Sequence, residues 1–202
     1  MKQISILFFT AILYQSAFAQ EKTEGFDWNK VFAGGSIVLG YSGGNASSSN
    51  FTIGGNPEIG YSIFKSVDIG LGFNIVNQSG NYYDNNIPGT VKYNIFQSGA
   101  GMFLRLHITD GFFINLQPEF STIKYKASAT NGASLDDKVT PTSFLAGIGY
   151  GTRDVGNANF FTLILVDLQK NLYSPYRNSA GQIIPQIRGG INFYFNRKKK
   201  NN

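Results

Sequence analysis

The sequence predicts an all-β fold, an eight-stranded antiparallel up-and-down transmembrane β-barrel, and three observations carry that prediction. Apolar and polar residues alternate with period two, segment after segment, which is the signature of strands with one greasy and one polar face. The segments are long: soluble strands usually have about five or six residues, and about 9 to 11 tilted residues cross a bilayer. The connections between them alternate long and short.

Residues 51–78 show the pattern most clearly. Phe51, Ile53, Ile59, Tyr61 and Ile63 fall on one face, with Thr52, Asn56, Glu58 and Ser62 on the other. After a break at Lys65-Ser66, Val67, Ile69, Leu71, Phe73 and Ile75 oppose Asp68, Gly70, Gly72, Asn74 and Gln78. This is a β-hairpin.

Taken in order, residues 1–19 read as a secretory signal. Lys2 gives the positive start, Ile4 to Leu13 the apolar run, and Ala17-Phe18-Ala19 the small-x-small cleavage site. Residues 20–29 are a polar leader on the periplasmic side. Residues 30–195 form the barrel, and residues 196–202 a basic tail in which Arg197 to Lys200 supply four charges. A solvated tail explains most of the net charge of +5 without nucleic acid. The chain has no cysteine, so neither disulfides nor thiol-held metal are available.

Strand one runs from Lys30 to Tyr41, and a loop of small residues, Ser42 to Asn50, leads to the hairpin. A polar loop, Ser79 to Lys92, precedes strand four at Tyr93 to Leu106. A short turn, His107 to Gly111, leads into strand five, Phe112 to Lys126. Pro118 interrupts its ladder, and a bulge is the usual remedy. Ala127 to Pro141 is the third long loop, followed by strand six at Thr142 to Arg153 and a short turn. Strand seven, Phe160 to Tyr173, is irregular because Leu163 and Leu165 sit on its polar side. Ser174 to Ile184 is the fourth long loop, and Pro185 to Phe195 is strand eight.

Which face meets oil decides the class. A soluble lipocalin-like barrel is apolar inside and charged outside. Here only 14% of residues are charged, and the polar faces carry Glu58, Asp68, Arg105, Glu119, Asp167 and Arg188, a mixture of signs set among glycines. These six are expected to form an interior ionic cluster, since unpaired buried charges cost several kcal/mol each. The apolar faces then point at lipid, with Tyr41, Tyr61, Phe96, Phe112, Tyr150 and Phe193 as interfacial aromatic girdles.

The signal, the alternating strands, the glycine-punctuated inner face and the closing Ile191-Asn192-Phe193-Tyr194-Phe195 resemble the small outer-membrane β-barrel proteins, the group that includes the OmpA membrane domain and OmpX. That resemblance implies residence in the cell outer membrane and an assembly signal at Phe193 and Phe195, read by the barrel assembly machinery. The added residues 196–202 are a departure from the family pattern. The leading expectation is a non-enzymatic, monomeric membrane protein with a structural or surface-contact role and without cofactor, catalytic residue or metal. Its partners are outer-membrane lipids and an extracellular ligand or surface met through four outward loops around Tyr82, Tyr83, Tyr173 and Tyr176. Three alternatives stay open: a narrow conduit for a small apolar ligand past Leu163 and Leu165, a lipid-modifying enzyme, and a soluble barrel. The only histidine, His107, is expected in a periplasmic turn, away from any outer-leaflet chemistry.

Overall fold

A computed structural model describes residues 26–43, 48–83, 89–155, 157–178 and 180–195. The expected signal, most of the leader and the basic tail lie outside the described residues. A single turn of 3-10 helix, Trp28–Lys30, capped by Asp27, leads into the first strand. The strands are β1 (Val31–Gly43), β2 (Ser49–Phe64), β3 (Val67–Tyr83), β4 (Thr90–His107), β5 (Phe112–Ala129), β6 (Ser134–Val139), β7 (Thr142–Gly151), β8 (Ala158–Asp167) and β9 (Gln186–Tyr194). All pairings are antiparallel, and β9 returns to pair with β1, so β1 to β5 and β7 to β9 close an eight-membered ring. The ninth segment, β6, pairs with β5 alone.

At one end of the barrel lie the short connections, with the start of β1 and the end of β9; this is the turn end. The other end carries the long hairpins. Here β2 to β5, with 16 to 18 residues each, outrun the ring and continue as an open sheet ending in β6.

Burial is inverted relative to a soluble protein. Ile69, Leu71 and Phe73 are exposed on the outer wall, while Asp68 and Asn74 on either side of them are buried. Likewise Ile37, Leu39 and Tyr41 of β1, Phe112 and Phe120 of β5, and Ile187 and Phe193 of β9 face outward. Ser36, Asn56, Arg105, Glu119, Asp167 and Arg188 are buried around the axis. An apolar outer wall around a polar lumen is the arrangement of a bilayer-spanning barrel. Aromatic side chains gather at the turn end, where Phe26 stacks on Tyr61 with centroids 5.1 Å apart and Phe112 meets Tyr150 edge-on at 5.0 Å. Tyr41, paired with Phe51, belongs to the opposite end.

The glycines of the inner wall follow from the narrowness of such a barrel, which side chains just fill. Along one hydrogen-bonded row the chain places Gly34, Glu58, Gly72, Gly101, Glu119 and Ser143 on successive strands, so each carboxylate has small neighbours. Elsewhere an aromatic ring lies on a glycine. A Cβ at Gly60 would come within 2.3 Å of the Phe32 ring, and one at Gly149 within 2.2 Å of Phe113.

Several expectations about the connections are corrected. The third long loop is largely strand: β5 runs on to Ala129 and pairs with β6, leaving a tight turn in which Gly132 takes a φ of 88°. Thr140 and Pro141 separate β6 from β7, since proline has no amide to continue the ladder. At Pro118 there is no bulge. The register between β4 and β5 is the same on both sides of it, with Gly101 opposite Glu119 and Leu104 opposite Leu116. Strand seven ends at Asp167, not Tyr173.

Candidate functional site

The lumen holds the chemistry, and its charged side chains form separate groups along the axis rather than one cluster. At the turn end, Asp68 of β3 accepts from Arg153 Nη2 at 2.7 Å through Oδ1 and contacts His107 Nε2 at 2.7 Å through Oδ2. Arg153 sits just beyond β7 and also donates to the Phe64 carbonyl at 3.0 Å. His107 is therefore not a turn residue: it is the last residue of β4, turned inward onto a carboxylate that Arg153 already holds. Next to this group, Ser62 Oγ and Tyr194 Oη are hydrogen-bonded at 2.8 Å.

In the middle, Arg105 of β4 reaches across to Glu58 of β2 with both guanidinium nitrogens, Nη1 to Oε1 and Nη2 to Oε2, each at 2.7 Å. Such a fork is the strongest form of this ion pair. Its Nε donates to Asn115 Oδ1 at 3.2 Å, and Asn192 donates to Glu58 Oε1 at 2.7 Å. The side chains are 6% and 10% exposed. The guanidinium carbon lies 4.6 Å from the Phe103 ring centroid and 4.9 Å from that of Phe161, which adds cation–π attraction in a dry setting.

Toward the hairpin end, Glu119 of β5 is 2% exposed and accepts from Gln117, Ser121 and Tyr176 rather than from a cation. Tyr176 is the main correction to the sequence reading. Expected as an outward contact, it is 3% exposed and points into the lumen, donating to Glu119 Oε1 and accepting from Asn74 Nδ2, both at 2.7 Å. Arg188, which pairs with no carboxylate among the described residues, donates to the same hydroxyl at 3.4 Å. Burial first, and then the Glu119 carboxylate, push the Tyr176 hydroxyl above the ordinary phenol range, so it keeps its proton and donates.

The connection of residues 168–185 folds back to make this contact. Asp167 fixes its start, accepting from Phe144 N at 3.0 Å, Gln169 N at 2.9 Å and Ser174 Oγ at 2.6 Å. Arg177 then gathers the segment by donating to the carbonyls of Gln169, Gly181 and Asp167. Ile184 N returns to Tyr176 O at 2.9 Å. Below the Tyr176 ring, Leu145, Leu163 and Leu165 pack with Phe113 and Phe161. Leu163 and Leu165, which had suggested a conduit, are 2% and 0% exposed and form an apolar plug. The space left beside Arg105, His107 and Arg153 is about 30 Å³, the scale of one or two waters and not of a channel.

Of the six residues expected to cluster, only Glu58 and Arg105 pair with each other. Asp68 pairs with His107 and Arg153, which were not among the six; Glu119 and Asp167 are held by neutral donors. Tyr173 is exposed and Tyr83 is exposed at the end of β3; Tyr82 beside it packs on Tyr93 at 6.0 Å. Phe193 and Phe195 are both exposed, the first in β9 and the second just past it. Among the described residues, no group of three or more His, Cys, Asp or Glu could hold a metal ion.

No family model and no curated protein matches the sequence. Solved structures that resemble the chain include Ail, the attachment invasion locus protein of Yersinia pestis, at a TM-score of 0.47 and 10% identity over 82% of this chain and 95% of that one. Neisserial surface protein A follows at 0.41 and 13% over 85% and 100%. The transport unit of the autotransporter AIDA-I from Escherichia coli follows at 0.40 and 13% over 75% and 55%. All three TM-scores are below 0.5, so the strand pairing and inverted burial of this chain are what establish it as a closed, membrane-type β-barrel.

Proposed function

We propose that the chain is a monomeric, non-enzymatic outer-membrane barrel whose lumen is a structural plug and whose hairpin end meets surfaces or ligands outside the cell. One observation carries the reading. The strands β2 to β5 are well beyond the roughly 9 to 11 residues a bilayer needs, and their surplus forms a raised open sheet ending in β6, which pairs on one side only. A free edge offers backbone donors and acceptors to an added strand. Exposed Tyr83 and Tyr173 flank that end. Export with cleavage after Ala19 and delivery by the barrel assembly machinery, reading Phe193 and Phe195, complete the proposal. His107 offers little support for a lipid-modifying enzyme, because its Nε2 faces a carboxylate that Arg153 also holds.

The test uses the absence of native cysteine. Single cysteines at Leu135 and Lys138 in β6, and at Val155 in the β7–β8 turn, are exposed to a membrane-impermeant maleimide on intact cells. Labelling at the β6 positions but not at Val155 is the expected result. Labelling at Val155 alone would reverse the barrel and remove the contact surface from the outside.

A further inference from the structure

The lower part of the raised sheet carries a basic face for which the lumen has no use. Lys124 of β5 stands directly opposite Lys138 of β6. Lys92 and Lys126 lie on the same outer face, and all four side chains are exposed. Like charges directly opposite each other in a sheet are destabilising. Among the described residues the only carboxylate on this face is Asp136, 3.3 Å from Lys126 and paired with it. Asp137 pairs with Tyr125 and so faces the other way. The face thus keeps an excess of positive charge at Lys92, Lys124 and Lys138.

Its height is fixed by the pairing. Phe96 is the β4 partner of Lys124, and exposed Phe120 lies four residues nearer the barrel on the same outer face, about 14 Å along the strand. Exposed aromatics mark the headgroup level of a membrane barrel, so the lysines begin where lipid headgroups are. Beside them a groove of about 420 Å³ is lined by Lys92, Lys126, Asn94, Ser128 and Ser134, and by Asp136, whose carboxylate Lys126 pairs with; among the described residues Lys92 is left as its unpaired cation beside the neutral hydrogen-bonding groups.

We infer that this face binds the phosphate groups of a phosphorylated glycolipid in the outer leaflet, with Lys124 and Lys138 sharing one phosphate and Lys92 and the groove taking its neighbour. The inference rests on the outward orientation proposed above. A lysine next to an anionic lipid surface contributes roughly fivefold in affinity, so about thirtyfold is expected for the pair.

The full barrel is reconstituted in phosphatidylcholine nanodiscs with lipid A or with lipid A stripped of phosphate, and retained lipid is counted by native mass spectrometry. Native protein should prefer the phosphorylated lipid. Lys124→Gln with Lys138→Gln should lose roughly thirtyfold, while Lys65→Gln at the turn end should lose nothing. Equal binding by native protein and the double variant, an equal loss in Lys65→Gln, or saturation by inorganic phosphate with no lipid preference would each overturn the inference. Insertion is scored separately by heat-modifiable gel mobility: a chain that fails to insert overturns the barrel reading and this inference together, whereas one that inserts without phosphate preference overturns this inference alone.

Discussion

Arg105→Ala is expected to lower the unfolding free energy of the reconstituted barrel by about 3–5 kcal/mol, the cost of leaving a buried carboxylate without its cation. Glu58 would keep only its hydrogen bond from Asn192, in a lumen where water has little room. The measurement is a urea titration followed by the fluorescence of Trp28, the single tryptophan. Two companions separate the pair from general damage. Arg105→Met combined with Glu58→Gln removes both charges at similar volume and should recover most of the loss. Lys126→Ala breaks a pair whose side chains are 66% and 69% exposed and should change little. A native midpoint in Arg105→Ala would mean that the fork is solvated and the interior is not the closed network described.

Tyr176→Ala is expected to cost about as much, roughly 3–5 kcal/mol, since it deletes a buried aromatic ring and strips Glu119 of its Tyr176 hydrogen bond. Tyr176→Phe keeps the packing and should cost about 1.5–3 kcal/mol, the value of hydrogen bonds to a charged group. The sharper readout is local. Arg177 is held by three carbonyls in the folded connection, so trypsin added to reconstituted native barrel should spare it and should cut rapidly after it in Tyr176→Ala. Slow cleavage in both proteins would show that the ring does not anchor residues 168–185.

The wall of the barrel was legible in the sequence and its contents only partly so. Leu71 between Gly70 and Gly72, or Ile114 beside Asn115, declares its face because oil and a polar lumen lie on opposite sides of every spanning strand. That contrast disappears above the membrane. Ser134 to Val139 is exposed along almost its whole length, with polar surroundings on both faces, so β6 shows no period-two signal and reads as loop. The polar groups of the lumen could be named but not paired, because partners such as Glu58 and Arg105 stand on β2 and β4, either side of β3, and 47 positions apart in the chain. Arg153 and His107 were missed as ligands of Asp68 because they stand at strand ends, where alternation no longer tells inside from outside. Tyr176 was misplaced for a related reason: it lies in an aperiodic connection rich in turn-forming residues, and only the backbone contacts of Asp167 and Arg177 bend that segment back into the barrel. The one visible hint was the pair Leu163 and Leu165 on an otherwise polar face, which need apolar company and find it beneath the Tyr176 ring.

The measurement that bears most directly on the inverted barrel is a spin-label scan of β3 in a bilayer. Single cysteines at residues 68 to 74 are labelled one at a time, and collision rates with oxygen, which partitions into lipid, are compared with those of a water-soluble nickel chelate. Oxygen maxima at Ile69, Leu71 and Phe73, with labels at Asp68, Gly70, Gly72 and Asn74 shielded from lipid, are the predicted result. Chelate access at Ile69, Leu71 and Phe73, or a profile without the two-residue period, would contradict a barrel that turns its apolar side chains to the membrane.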